Sequence, residues 1–424
     1  MKEIAKKKGA RQVVTPEQLM LAAMADMKTT LHEAIVAAGM TALNVVLEEE
    51  RAALCGQRYA RASTREMSRT GSTTGELAFG GRLVSVRRPR VRSADGREVR
   101  LETWERFAGA DPLTPRAVEQ MVLGVSTRNY GRSIEPAPAG LRTRGTSKSA
   151  VSRRFVEATG EVLREMQTRD LSDLPICAAM IDGIHVAEHL VLVALGIDER
   201  GSKHILGLYE GATENATVCT ALLSDLAARG LRTDRAMLFV IDGGKALRKS
   251  IREVFGDRAL VQRCQVHKRR NVEEHLPESL KKTIGKSMTA AYRSGDFKRA
   301  KRILEGLARQ LDKNHPAAAG SLREGLDETL TVMRIGLRKE LARTLSTTNA
   351  IEFINGRIRK TTHNVDKWES GTMVLRWLSL ALNEAAKTFY KLCGHADMPK
   401  LVAALRAHDQ KLNPASVDAS TKAA

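Results

Sequence analysis

The spacing of apolar residues changes character several times along the chain. From Thr15 to about Ala62, Ala, Leu, Met and Glu dominate and apolar residues recur at helical spacing, which predicts two or three helices. From Gly80 the texture becomes alternating, in GGRLVSVRRPRVRSADGREVRLETWERF. Short alternating segments flank the turn signal Ser93-Ala94-Asp95-Gly96 and predict a small β-hairpin with a strongly basic face. Between Pro112 and Met166 the helical period returns on both sides of a Pro/Gly break from Glu135 to Gly140. Two helices across a turn are expected there. Ser147 or Ser149 can cap the second, and Lys148, Ser152, Arg153 and Arg154 fall near the end that a helix-turn-helix motif presents to a major groove. A capped surface helix with ordinary charges fits the same residues.

A different architecture begins at Leu174. ICAAMIDGI, LVLVALGID and KHILGLYEG are apolar runs separated by short polar turns, as in adjacent strands buried on both faces. The helical stretch ENATVCTALLSDLAARG leads to a fourth strand, AMLFVIDGG; KALRKSIREVFG reads as another helix and ALVQRC as a fifth strand. Three strands followed by alternating helix and strand predict an α/β core, a mixed sheet covered by helices, in the element order of a ribonuclease-H-like fold. From Gln265 to about Arg343 only polar, basic, helical sequence follows, which predicts an all-helical insertion. TTNAIEFINGRIRK and WESGTMVLRWLSLALNEAAKTFYKL add two more helices, and the Ala/Ser/Lys-rich tail after Asn413 is expected to be disordered.

Composition narrows the partners. Lysine and arginine number 69 against 49 acids, a net charge of +20 over 424 residues, which favours a polyanion through phosphate neutralisation. Aromatic residues make up only 4%, too few for platforms that stack single-stranded bases. The five cysteines are far apart and include no CxxC pair, so neither a disulfide framework nor a complete zinc cluster is expected. No secretory leader and no membrane-length apolar run is visible, so a cytoplasmic protein is expected.

Two acids share one local pattern: an apolar run, then Asp182-Gly183, and an apolar run, then Asp242-Gly243. A carboxylate where a buried strand meets a glycine turn is held from below and open above. If the first and fourth strands are neighbours, the two aspartates lie side by side and repel unless cations intervene. Mg²⁺ is the hard, oxygen-seeking ion that suits such a pair, and two of them can stabilise both oxygens of a phosphoryl displacement. Either Asp-Gly alone is an ordinary turn. Glu352 supplies a third acid on a helix whose Ile351, Ile354 and Ile358 form the buried stripe, with Glu352, Asn355 and Arg359 on another face.

From roughly Gly80 to Lys391 the chain resembles the Mutator-like transposases of bacterial insertion sequences. Asp182-Gly183, VIDGGKALRKSIREVFG, VQRCQVHKRRNVEEHLP and TTNAIEFINGRIRK carry the likeness in order and spacing, with DPL and GVSTRNY upstream. The resemblance implies a transposase in which Asp182, Asp242 and Glu352 form the DDE triad, holding two Mg²⁺ (or Mn²⁺) ions. Cys264 and His267 correspond to the family's C-x-x-H motif; read by themselves they are half a zinc site, better suited to a structural role beside the triad. Lys268, Arg269 and Arg270, with Arg357 and Arg359, are the expected phosphate contacts there. The chain departs from the family in one respect, because Trp104, Trp368 and Trp377 all lie outside the insertion, where a tryptophan is common.

The expected organisation is a helical N-terminal region over 1–79, and a DNA-binding region with hairpin and helix-turn-helix over 80–170. The first part of the core follows over 171–275, the insertion over 276–344, core completion with C-terminal helices over 345–412, and a tail over 413–424. Expected partners are double-stranded DNA, both terminal inverted repeats and target, and a second copy in a synaptic homodimer or larger complex. Segments Thr15 to Ala62 and Met373 to Leu392 are candidate contacts between copies, and ordinary core packing explains both equally well. No membrane partner is expected. A DNA-binding regulator without chemistry, and a metal nuclease without strand transfer, remain open at this point.

Overall fold

The computed structural model describes residues 31–58, 66–108, 112–138, 140–211, 213 and 215–413. Two compact units divide the chain, residues 1–158 and 159–424.

In the first unit, α1 (Leu31–Cys55) precedes β1 (Met67–Phe79), β2 (Arg82–Ser93), β3 (Glu98–Val99), α2 (Glu102–Ala108), α3 (Leu113–Val122) and β4 (Thr143–Arg144). One helix stands where two or three were expected; the remainder of that expectation lies outside the described residues. The hairpin is longer and earlier than its alternation suggested. β1 pairs antiparallel with β2 across Gly80-Gly81, so a strand occupies part of the expected helical region. The Ser93–Gly96 turn does form, but it leads only to the two-residue β3. β1 escaped the sequence reading because MSRTGSTTGELAF has few apolar positions to alternate, and its glycine has a packing role: a Cβ on Gly75 would stand 2.3 Å from the Trp104 ring. Leu47, Leu77, Val84, Val86, Val91 and Trp104 form the core of this sheet.

The helix-turn-helix expectation is corrected. Residues 123–147 separate α3 from α4 (Lys148–Thr168), and they hold a 3-10 turn at Tyr130–Arg132 and β4, which pairs with β2. A helix-turn-helix joins its helices by only about 3–4 residues. The long connection is fixed instead by the sheet: Tyr130 buries its ring and donates its hydroxyl to the Gly81 carbonyl at 3.0 Å. Ser147 precedes α4 and its hydroxyl accepts from Ala150 N at 3.3 Å, as expected of a cap.

The second unit is built on a five-stranded sheet of order β7-β6-β5-β8-β9, from β5 (Ile176–Val186), β6 (His189–Asp198), β7 (Lys203–Gly211), β8 (Met237–Ile241) and β9 (Ala259–Arg263). β5, β6 and β7 are antiparallel, whereas β8 and β9 run parallel to β5. Successive residues of β5 serve opposite cores. Ala179 and Ile181 pack with α5 (Ala216–Ala228) and α6 (Lys245–Phe255). Ala178, Met180 and Ile184 pack with α13 (Asn349–Thr362), α14 (Gly371–Ala386) and α15 (Met398–Leu412). Burial on both faces is why these strands read as continuous apolar runs. α14 spends Val374, Leu378, Ala381 and Leu382 in that core, so its apolar face is internal rather than a contact between copies.

Between β9 and α13 the chain is helical throughout: α7 (Gln265–Glu274), α8 (Glu278–Arg293), α9 (Phe297–Leu311), α10 (Pro316–Arg323), α11 (Thr331–Arg334) and α12 (Lys339–Leu345). Met288, Ala300, Leu304, Ala308 and Leu330 give this insertion a core of its own. It is bolted to β9 by side chains: Gln262 Nε2 donates to Thr329 O (2.8 Å), Gln262 Oε1 accepts from Val332 N (2.9 Å), and Thr331 donates to Val261 O (2.6 Å). Buried Arg263 donates to Glu328 at 2.8 Å. Gly325, at φ 61°, lies so close that a Cβ there would be 2.6 Å from the guanidinium.

Candidate active site

The sheet brings the two aspartates together. Ala178 faces Leu238 and Met180 faces Val240 across the parallel β5–β8 ladder, and the same register continued sets Asp182 against Asp242. Asp182 does not end its strand, as the sequence reading had it; β5 runs on to Val186 paired only with β6, and the rim is where β8 stops. Each carboxylate is steadied by a glycine amide that follows it within two residues. Gly183 N donates to Asp182 Oδ1 at 3.0 Å, and Gly244 N donates to Asp242 Oδ1 at 2.8 Å.

Glu352 arrives on the first turn of α13, whose Ile351, Ile354 and Ile358 are fully buried. Its neighbour one turn on, Asn355, is not on an open polar face: it is 3% exposed and donates Nδ2 to Asp182 Oδ2 at 2.8 Å. Asn355 Oδ1 is buried without a hydrogen-bond partner. Thr348, at the N-cap of α13, makes no capping bond to the helix; its hydroxyl donates instead to Glu352 Oε1 at 2.6 Å and lies 3.4 Å from His267 Nδ1. Sequence reasoning missed both positioning groups. A Thr at a helix start and an Asn at i+3 from an acid are common patterns, and only their burial sets them apart.

Electrostatics tie the acids into one site. Burial pushes the Asp182 carboxyl up from its ordinary 3.8 to about 6, and the charges of Asp242 and Glu352 push in the same direction. Cys264, buried at the start of α7, hydrogen-bonds His267, which raises the imidazole above its usual range. Burial opposes the Cys264 thiolate, but hydrogen bonds from His267 and Thr348 outweigh it and lower the thiol. Cys264, His267 and Glu352 offer ligand atoms within 4.8 Å of one another. Cys264 and His267 hydrogen-bond each other, Thr348 bonds both Cys264 and Glu352, and the charges of Asp242 and Glu352 act on Asp182.

The expected phosphate contacts separate into two groups. Lys148, Arg153, Arg270, Arg357 and Arg359 are exposed, with Arg357 lying 5.8 Å over the Phe353 ring. Arg154 is half-buried and donates to Gly145 O at 3.2 Å, and half-buried Arg269 reaches Thr289 Oγ1 at 3.3 Å. Lys268 is a correction. It is 3% exposed, and its ammonium donates to the carbonyls of Ser321 and Glu324, both at 2.7 Å, at the end of α10. The i+4 step from Cys264 turns it inward, so it cannot meet a phosphate. Glu324 and Glu328 are equally committed, to Arg263, at 3.7 and 2.8 Å.

No helix among the described residues is long and apolar enough to cross a membrane. Comparison with known proteins gives the family. The sequence model of the Mutator family of transposases matches residues 12–391. The transposase for insertion sequence element IS406 of Burkholderia multivorans is 28% identical over 356 residues, covering 81% of this chain and 89% of the relative. That for IS256 in transposon Tn4001 of Staphylococcus aureus is 26% identical over 333 residues, covering 76% and 82%. That for ISRM5 of Rhizobium meliloti is 28% identical over 361 residues, covering 81% and 86%. With the match spanning nearly the whole described chain, this protein belongs to the Mutator family of transposases.

Proposed function

We propose that the chain binds the ends of an insertion sequence and performs DNA cleavage and strand transfer with Asp182, Asp242 and Glu352 as a DDE triad. The observation that carries the reading is the meeting of three acids from β5, β8 and α13, where burial and then the charges of the other two raise Asp182. The sheet, three antiparallel strands followed by two parallel ones, supports a ribonuclease-H-like core.

Two divalent ions fit this donor set, since carboxylate oxygens are hard ligands and, beyond the effect of burial, the charges of Asp242 and Glu352 disfavour ionised Asp182. When bound, Mg²⁺ or Mn²⁺ would supply charge stabilisation to the entering and leaving oxygens of an in-line phosphoryl displacement. The protein supplies the rest. Gly183 and Gly244 amides fix one oxygen of each aspartate, Asn355 fixes the second oxygen of Asp182, and Thr348 orients Glu352. Such positioning lowers the barrier to a displacement that conserves phosphodiester bonds and needs no nucleotide. We further propose that the exposed arginines named above neutralise DNA backbone, and that end joining occurs in a homodimer or larger complex.

The test is a Mg²⁺-dependent assay on duplex carrying the terminal repeat, with melting and gel shift as controls. Glu352→Gln, Asp182→Asn and Asp242→Asn lose cleavage and strand transfer but keep end binding, and double variants are scarcely worse than single ones because the acids act as a unit. A folded Glu352→Gln protein that cleaves normally removes Glu352 from the site. Cleavage without strand transfer in the wild type would make the protein a nuclease.

A further inference from the structure

Several arginines of the second unit are each answered by an acid: Arg229 by Asp225, Arg232 by Asp234, Arg263 by Glu328, Arg323 by Asp312. One cavity stands apart from that pattern. A cleft of about 490 Å³ between α8, α12 and the start of α7 is lined by Arg269, Arg293, Arg338, Lys339 and Arg343, and no Asp or Glu lines it. Among the described residues, Arg293, Arg338 and Arg343 form no ion pair, and all three are exposed. Lys339 holds a left-handed backbone (φ 57°), a conformation that costs a lysine free energy and is kept only where the surroundings impose it. Tyr292 also lines the cleft, and burial pushes its phenol up to about 12, so it stays a neutral neighbour to these cations.

The cleft does not stop there. A second cavity of about 420 Å³ shares Arg269, Thr289 and Arg293 with it and adds Lys282 and Lys286. Seven cations therefore line one continuous tract, in which Glu273 is the sole acid. At its other end the tract reaches Ser346 and Thr347, which directly precede Thr348, the residue that donates to Glu352. Of the seven, Arg269 is paired, with Glu273 at 3.5 Å, and the other six form no ion pair among the described residues; such a row of like charges repels and is eased by a bound polyanion. Several charges in line suit a chain of phosphates better than one small anion, and planar guanidinium forks suit phosphate oxygens.

We propose that this tract holds the sugar-phosphate backbone of the DNA strand that continues past the scissile bond, so that the insertion grips the flank while the sheet rim holds the bond. The proposal rests on the reading of Asp182, Asp242 and Glu352 as the catalytic acids. It adds a phosphate-binding subsite made of Arg293, Arg338 and Arg343, none of which is part of that triad.

The experiment uses the full chain in EDTA and two duplexes carrying the terminal repeat, one ending at the cleavage position and one continuing a helical turn beyond it. Wild type binds the longer duplex more tightly. The triple variant Arg293→Gln/Arg338→Gln/Arg343→Gln binds both alike, keeps its affinity for the shorter one, and melts as wild type does. On the longer duplex its log-log salt slope falls by about 2.7, at about 0.9 per lost phosphate contact. The proposal is overturned if wild type gains nothing from the flank, or if the triple variant keeps the gain and the slope. Either result leaves the catalytic reading standing when wild type still cleaves and Glu352→Gln does not; a Glu352→Gln protein that cleaves overturns that reading instead.

Discussion

Replacing Asp182 with Asn should stabilise the metal-free protein while abolishing its chemistry. In the folded state burial raises this carboxyl from 3.8 to about 6, with Asp242 and Glu352 adding to the shift. The folded chain therefore keeps a proton that the unfolded chain releases between those values. Stability falls as pH rises through that window, and above it the loss is complete. At about 1.36 kcal/mol per unit, the charged form costs about 3 kcal/mol at pH 7.5 and about half that at pH 5. An amide in place of the carboxylate removes the charge and keeps one acceptor oxygen, which serves Gly183; its NH2 takes the place of the oxygen that met Asn355, and the bond there survives only if Asn355 turns its unpartnered Oδ1 inward, so part of the gain is given back. Local relaxation reduces the gain to about 1–3 kcal/mol, which for a domain of this size is a rise in Tm of about 2–8 °C. The assay is thermal melting in EDTA at pH 7.5 and pH 5, wild type against Asp182→Asn. A variant that melts lower at pH 7.5, or whose advantage does not shrink at pH 5, refutes the argument. Added Mg²⁺ should raise the wild type and leave the variant unmoved.

Thr348→Val keeps shape but loses the bond to Glu352; a hydrogen bond to a charged group is worth about 1.5–3 kcal/mol, so turnover should fall about 10- to 100-fold with DNA affinity unchanged. Single-turnover cleavage and gel shift separate the two, and an unchanged cleavage rate would detach Thr348 from the site. Lys268→Met strips a donor from the carbonyls of Ser321 and Glu324 and should cost about 1–3 kcal/mol of stability, read by denaturant melting, with no change in the salt slope of DNA binding. Arg270→Gln should show the reverse, and a lowered slope for Lys268→Met without lost stability would return Lys268 to the DNA.

What the sequence disclosed follows the physics of each segment. The strands of the second unit are buried on both faces, so their apolar runs are long and unambiguous, and each Asp-Gly pair is visible because it interrupts such a run, at the end of β8 and within β5 where β8 stops. The stripe of Ile351, Ile354 and Ile358 set the phase of the helix that carries Glu352, since three β-branched side chains at helical spacing leave one face to bury. The first unit was harder. β1 is stabilised by pairing with β2 and by Gly75 packing on Trp104, neither of which leaves an apolar period in MSRTGSTTGELAF. Lys268 and Asn355 misled for a shared reason: a polar residue announces solvent in a sequence, yet here one ties a helix end and the other a carboxylate of the candidate site. Helix phase alone does not distinguish a solvent face from a polar pocket.

The interruption between Asp242 and Glu352 also bears on how the protein is made. The insertion has its own core and is bolted to β9, so it can settle as soon as it emerges, but the third acid lies beyond it on α13. At about 5–20 residues per second, the aspartates wait roughly 5–20 s of synthesis for Glu352. A chain broken off anywhere in the insertion carries both aspartates and no glutamate. On the reading proposed here, premature release or proteolysis in that stretch yields fragments that can hold DNA without cutting it. On that reading, the order of segments withholds the chemistry until Glu352 has been made, and leaves such fragments as competitors for the DNA the whole chain would cut.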